Sequence, residues 1–356
     1  MNTSNANSKA ENTTPPIRKQ PLVSIVVTTY NSSKYIKQCI ESIAAQTYTN
    51  YEVIFVDNAS QDSTIEIVQK LAKILLKDKR VVIIQSKRNR GYCGGNNIGI
   101  KHSKGDYIAI VNPDIILDKN WLETLVQALE KNPNIAACQG KILYNKKIIN
   151  STGNLTDKYG ATLCRGEFEL DRNQYITGSE GFFYISGAAF LARRDPLQQA
   201  GFFDVLLFLY HDDLDLCWRL RLMGYRLLYV GEAICYHIKN ITNTSILTKI
   251  NATKLYFYYR NRLIILLKNY SINYVVKYLS LALILNTLNS LLLSMLHRKC
   301  YILIMAKAII DVIKKARIII IKRREVQTKR KVADSIIIKY MNKRPLEILA
   351  FKLILN

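Results

Sequence analysis

With 356 residues, 49% of them hydrophobic and 22% charged, the chain is globular and has room for one large domain or two ordinary ones. A net charge of +24 invites a nucleic-acid reading, but residues 241–356 alone hold 22 Lys and Arg against 4 Asp and Glu, which leaves about +6 for the rest. That tail is also rich in Leu and Ile, which suits an anionic membrane surface and argues against a nucleic-acid arm.

Residues 1–20, "MNTSNANSKAENTTPPIRKQ", almost lack large apolar side chains and read as a disordered lead-in. They have no apolar core of a signal peptide. The cysteines Cys39, Cys93, Cys138, Cys164, Cys217, Cys235 and Cys300 are scattered and odd in number, with no C-x-x-C pair. This excludes a disulfide scaffold and reads as reduced, cytosolic thiols. The N-x-S/T triplets are expected by chance in an Asn-rich chain.

From residue 22 the pattern alternates. "LVSIVVTTY" (22–30) is a continuous β-branched run, and "SKYIKQCIESIAAQ" (33–46) carries apolar residues at helical spacing. "YEVIFVD" (51–57), a helix from Asp62-Ser63 to Leu76, "VVIIQS" (81–86), a Gly-rich turn and helix, and "DYIAIVN" (106–112) repeat it. Such alternation predicts a mostly parallel sheet flanked by helices. Ligands of these sheets bind beyond the carboxyl ends of the strands. The residues closing the strands are Asn31, Asp57-Asn58 and Asn112-Pro113-Asp114. Each alone could simply cap the helix that follows.

Five segments then fall in one order. They are "VSIVVTTYN" (23–31), "VDNAS" (56–60), "NRGYCGGNNIGIKHSKGDYIAIVNPD" (89–114), "SGAAFLARRD" (186–195) and "YHDDLDLCWRLRLMGYRLLYV" (210–230). In order and interval they resemble the family 2 glycosyltransferases of GT-A fold, within them the rhamnosyltransferase-like branch, and the resemblance covers residues 22–240. It implies an α/β nucleotide-diphospho-sugar transferase domain over 21–240, followed at 241–356 by a basic, apolar, helical membrane-associating region.

What the resemblance implies can be set against the chemistry. A nucleotide-diphospho-sugar donor has a diphosphate to be neutralised, usually by Mg²⁺ or Mn²⁺. Asp114 matches the last position of the family's D-x-D-type metal motif, with Asn112 in the first, and His237 stands where relatives place a His near diphosphate or metal. A lone His after a strand is as often structural. Asp57 matches the nucleobase carboxylate, which accepts from the imide N–H of uracil or thymine and so favours UDP- or dTDP-sugars; Asn31 and Asn58 would assist. Asn97 either touches the donor or holds its loop. The glycines of "GYCGGNNIG" (91–99) fit neither a P-loop nor a dinucleotide fingerprint, and close backbone packing is their expected role.

Displacement at the anomeric carbon needs a base opposite the leaving group. Asp213 matches the Asp of the family's E-D motif, Asp212 the Glu, and Asp215 follows. Carboxylates this close repel, raising at least one pKa. They also suit a helix N-terminus, and Asp215 is spaced to pair with Arg219 at i+4. Gly187 and Ala188 would leave room for the acceptor. Trp218-Arg219 departs from the Q-x-x-R-W of processive synthases, which favours addition of one sugar.

In the tail, residues 278–296 carry no charge, close to the least that spans a bilayer. A single crossing would export basic residues against the positive-inside tendency, so an in-plane helix or a hairpin returning through 300–321 is expected. An ordinary packing domain with a solvated basic face is the alternative. The expectation is an inverting transferase at the cytoplasmic face of the membrane, acting on a glycan or polyprenyl-linked acceptor. The rival within enzymes has a protein or small-lipid acceptor; the rival from another class is a non-catalytic membrane or nucleic-acid binding protein.

Overall fold

The computed structural model describes residues 20–144, 146–178, 181–238, 251–297 and 300–346. Apart from Gln20, the lead-in expected at 1–20 lies outside them. In chain order the first half runs β1 (Val23–Thr29), α1 (Ile36–Ala44), β2 (Tyr51–Asp57), α2 (Thr64–Leu75), β3 (Val81–Gln85), α3 (Gly91–His102), β4 (Tyr107–Val111), β5 (Ile115–Leu117), α4 (Trp121–Glu130) and β6 (Ile135–Leu143). The short strands β7 (Ile149–Ser151), β8 (Asn154–Thr156) and β9 (Thr162–Cys164) follow, then β10 (Ala189–Arg193), α5 (Arg194–Ala200), α6 (Asp212–Leu222) and β11 (Arg226–His237). The tail is helical: α7 (Ala252–Asn269), α8 (Ile272–His297), α9 (Tyr301–Lys314), α10 (Ala316–Thr328) and α11 (Asp334–Ile337).

The main sheet has the order β3-β2-β1-β4-β10-β6-β11-β5, with β7 on β6, while β8 and β9 form a separate hairpin. The half built from βα units is parallel, with Thr29 beside Asp57 at the ends of β1 and β2. The expected mostly parallel sheet is nevertheless mixed, because β10 runs antiparallel to both β4 and β6, and β5 antiparallel to β11. The reason is the route: β10 returns from the irregular excursion after β7 without a crossover helix, and only such a crossover forces parallel pairing.

Alternation along β1 splits the core in two. Val23, Ile25 and Val27 pack with Ile36, Cys39 and Ile40 of α1 and Trp121 of α4 on one face; Val26 packs with Ile100 of α3 and Trp218 of α6 on the other. The glycine-rich motif is itself the start of α3. A Cβ on Gly95 would overlap the Thr28 side chain, and one on Gly99 the side chain of Val26. The motif thus lets a helix lie close against a strand.

The tail shares this second core, since Tyr259, Leu263 and Ile264 of α7 are buried with Trp218. α8 is long and apolar enough to cross a membrane by length and composition, with a mean hydropathy of 1.8.

Candidate active site

The carboxyl ends of β1, β2 and β4 open on a cavity of about 340 Å³ lined by Thr28, Asn31, Asn58, Tyr92, Asp114 and Phe208 among others. Asp57 is buried beside it, its carboxylate accepting from the Thr29 hydroxyl (3.1 Å) and the Ser60 amide (3.1 Å). Asn31 sits at φ 49° and accepts from the Gln61 amide at 2.8 Å, so it braces the turn after β2. Asn58 donates to the Asn89 side chain and the Gly91 carbonyl, both at 3.0 Å, and accepts from the Arg90 amide at 2.9 Å. It holds the turn entering α3. Asn97 lies away from this cavity, its amide paired twice with the backbone of Phe203; of the two roles open to it, this geometry is that of a loop clamp.

At the far wall, Asp114 and His237 meet. The Asp114 carboxylate is 3.0 Å from His237 Nε2, while His237 Nδ1 lies 3.0 Å from the Asn150 side-chain oxygen. The pairing of β11 with β5 carries His237 to the Asp114 loop across 123 positions of chain. A carboxylate oxygen and an imidazole nitrogen brought together in this way are donor types that a divalent cation takes. Among the described residues no group of three or more His, Cys, Asp and Glu is placed to hold a metal. Any cation here would complete its shell with donor phosphate and water.

The acidic cluster opens α6. Its entry is strained: Phe208, Tyr210 and His211 all have φ between 60° and 66°, a region bulky residues avoid. His211 is buried with neither ring nitrogen hydrogen-bonded, and burial together with the nearby Arg262 charge pushes its pKa down to about 3, leaving it neutral. Next to it, Asp213 accepts from the amides of Gly187 (3.0 Å) and Leu214 (2.8 Å). Burial pushes its carboxyl up to about 6, against those two amides, which favour the charged form. Asp212 is held well above the usual carboxylate range by burial and by Asp213. Asp215 is reached by burial too, but Arg219 and Lys268 outweigh it and hold the carboxyl low.

Gly187 joins the two halves of the site. Its carbonyl accepts from the Tyr92 hydroxyl at 2.6 Å, its amide donates to Asp213, and a Cβ there would meet the Tyr92 oxygen at 2.9 Å. Ala188 is buried next to it, its carbonyl accepting from the Asn112 amide at 2.8 Å. A path of contacts therefore runs from the cavity, through Tyr92 and Gly187, to Asp213. Sequence reasoning passed over Tyr92, although it stands inside the glycine motif. It also passed over Lys268, which no local pattern marks.

Residues 24–201, half of the chain, match the model of the family described as "Glycosyl transferase family 2". An uncharacterized glycosyltransferase of Haemophilus influenzae is 40% identical over 117 residues, 33% of this chain and 35% of that protein. The poly-beta-1,6-N-acetyl-D-glucosamine synthase of Staphylococcus aureus is 25% identical over 219 residues, 60% of this chain and 49% of that one. The chain thus spans between about a third and a half of the length of the curated relatives it matches. In structure it is similar to GalNAc-T7 with UDP, GalNAc and Mn2+ (TM-score 0.57, 15% identity, 72% of this chain and 49% of that one). It is also similar to a mannosyltransferase from Pyrobaculum calidifontis in complex with GDP-Man and Mn2+ (TM-score 0.52, 15% identity, 88% and 86%). At such identities the likeness is one of fold. The family match and the α/β architecture agree: the chain belongs to glycosyl transferase family 2 and has a GT-A-like fold.

Proposed function

We propose that the chain moves one sugar from a UDP- or dTDP-sugar to a glycan acceptor with inversion at the anomeric carbon, and that Asp213 is the base. One observation carries the reading: a carboxyl with a pKa raised to about 6 stands one glycine away from a cavity closed on its other side by an Asp–His pair. At neutral pH this carboxyl is mostly ionised yet still basic enough to take a proton. Asp213 accepts the hydroxyl proton of the acceptor, the acceptor oxygen bonds to the anomeric carbon, and the bond from that carbon to the diphosphate breaks on the opposite face. The nucleoside diphosphate leaves. Asp114 and His237 would hold a divalent cation, which when bound neutralises charge on the diphosphate.

Asp57, buried where β2 ends, is oriented by Thr29 and Ser60 and would take the nucleobase imide. Structures of this fold with UDP and with GDP-Man are known, so the base preference is a point for experiment. A panel of UDP-, dTDP- and GDP-sugars, dTDP-rhamnose included, with product mass on a glycan acceptor tests the proposal. Transfer from GDP-sugars alone would overturn the donor assignment. Donor titrations test the cation: Asp57→Ala should weaken donor binding with or without Mn²⁺, whereas Asp114→Ala should abolish its dependence on Mn²⁺. Unchanged dependence in Asp114→Ala would remove the metal role.

For the tail we propose attachment at the cytoplasmic face of a membrane, where a lipid-linked glycan acceptor would be met. On α8, Ile284, Leu288 and Leu291 are exposed while Asn286 and Ser290 are fully buried, Asn286 accepting from Arg262 at 2.6 Å. α9 adds exposed Leu303, Ile310 and Ile313. An apolar outer face over a polar inner seam suits a helix pair lying in the interface, with nearby Lys and Arg adding about 1 kcal/mol each on anionic lipid. Flotation of the full chain with anionic vesicles tests this. Loss of flotation is expected for the triple change Ile284→Ser, Leu288→Ser, Leu291→Ser; retention would count against the attachment.

A further inference from the structure

The segment "RGEFEL" (165–170) lies outside every motif that carried the functional reading. Phe168 within it is 49% exposed and has φ +67°. A bulky aromatic seldom adopts this conformation, and it persists only where the surroundings impose it. Here they do. The Phe168 amide donates to the Ile149 carbonyl and the Ile149 amide to the Glu169 carbonyl, both at 2.9 Å. A little further on, the buried Lys141 pairs with Asp171 at 2.9 Å and with the Asn173 side chain at 2.9 Å. The loop is tied at both ends, with an aromatic ring fixed outward.

That ring ends a row of three. Phe168 stacks on Tyr144 with centroids 5.5 Å apart and planes 15° apart; Tyr144 lies parallel to His237 at 6.4 Å and 13°. The Tyr144 hydroxyl is fixed by Glu167 at 2.6 Å. His237 divides the two sides, facing Asp114 of the donor cavity with one nitrogen and Asn150 with the other. The row therefore starts at the His that meets Asp114 and ends on the exposed Phe168.

We propose that the exposed Phe168 ring, backed by Tyr144, is the platform on which a pyranose of the acceptor lies, making this loop a sugar-binding subsite on the acceptor side of His237. The chemistry selects the ligand. A pyranose presents one face of C–H groups, which suits the electron-rich face of an aromatic ring, and a rim of hydroxyls, which suits adjacent carboxylates such as Glu167 and Glu169. The proposal rests on the reading of the chain as a transferase to glycan acceptors.

The test uses the full chain with UDP and Mn²⁺, and as probes the methyl glycosides of glucose, galactose, N-acetylglucosamine and rhamnose. Saturation-transfer NMR reports which sugar protons touch the protein, and titration gives the dissociation constant. At least one glycoside should receive saturation at its ring C–H protons. Its dissociation constant should rise about tenfold in Phe168→Ala, as for an aromatic anchor, and stay within about threefold in Phe168→Trp. No glycoside bound by wild type, or equal binding in Phe168→Ala, overturns the platform. A wild-type chain that binds a glycoside through Phe168 but hydrolyses no UDP-sugar keeps the platform and removes the donor reading, so the two can fail separately.

Discussion

Three carboxylates open one helix, and the two sides of that helix treat them in opposite ways. Toward the cavity, Asp212 and Asp213 have no cation paired with them among the described residues; burial pushes both up, Asp213 to about 6, and Asp212 is raised further by the charge of Asp213. On the far side, about 200° round the helix from Asp213, Asp215 lies 2.9 Å from Arg219 and 2.8 Å from Lys268, and Lys268 also binds Asp204 at 2.6 Å, which Lys322 contacts at 2.9 Å. Burial acts on both sides. Only the placement of cations differs, and it decides whether a buried carboxyl is raised or held low. The tail supplies two of those cations, from α7 and α10, so helices that follow β11 help fix which carboxylates stay ionised.

The largest effect that could break this contrast is on turnover. Asp213→Asn keeps shape and most hydrogen bonds but removes proton affinity, so transfer should fall on the order of 10²–10⁴-fold while the donor dissociation constant hardly moves. Asp215→Asn, by contrast, should act through stability. If Asp213→Asn stays active and Asp212→Asn is dead, the base lies one residue upstream; if all three variants stay active, the cluster is not catalytic.

Next comes the far side. Lys268→Ala would leave Asp204 and Asp215 buried with less compensation, and unpairing a buried ion pair costs about 3–5 kcal/mol. The loss should show in urea unfolding at pH 7. Both carboxyls are held low in the folded protein, so their pairing stabilises above the ordinary carboxylate range and is lost as pH falls through the depressed folded values. The gap in stability between wild type and Lys268→Ala should therefore narrow as pH falls below about 4 and still be open at pH 3. A constant gap down to that pH would mean that Lys268 acts by packing alone.

How much of this contrast was legible in the sequence follows from its range. The strand ends were readable because a run such as "YEVIFVD" must stop where a polar side chain meets the sheet edge. The Asp215–Arg219 pair was readable because i and i+4 share a helix face. Lys268 was not, since 53 positions separate it from Asp215 and only the docking of α7 on α6 brings them together. The antiparallel return of β10 was hidden for a like reason: nothing local in "ISGAAFLARRD" tells which way a strand runs. Asn97 was ambiguous because an amide serves ligand and backbone equally well, and only the position of the Phe203 loop decides.

A smaller effect sharpens the cavity side. With a base whose carboxyl lies near 6, the transfer rate should be level above pH 7 and fall as pH drops, by about tenfold per unit well below pH 6. Rates taken with saturating donor, Mn²⁺ and acceptor check this. A plateau reaching unchanged to pH 4.5 would mean that the base is a carboxyl of ordinary pKa, and the contrast across α6 would vanish.

The smallest effect concerns Asp212. Its carboxyl is raised by burial first and by Asp213 second, so the folded protein binds its proton more tightly than the unfolded chain does. A raised carboxyl adds stability below the ordinary carboxylate range and loses it as pH rises toward the folded value. Asp212→Asn removes that penalty while keeping an oxygen that can accept from the first amides of α6. At pH 7.5 the melting temperature of Asp212→Asn should exceed that of wild type by about 1–3 °C, the size of shift expected from roughly 1 kcal/mol in a chain of this length. At pH 4 the two should melt together. Since Asp212 stands neutral beside Asp213, its replacement by a neutral amide should leave the pH at which transfer falls unchanged. A lower melting temperature at pH 7.5 would mean that Asp212 is ionised and paired in the folded protein, and that the cavity side of α6 is wired like its far side.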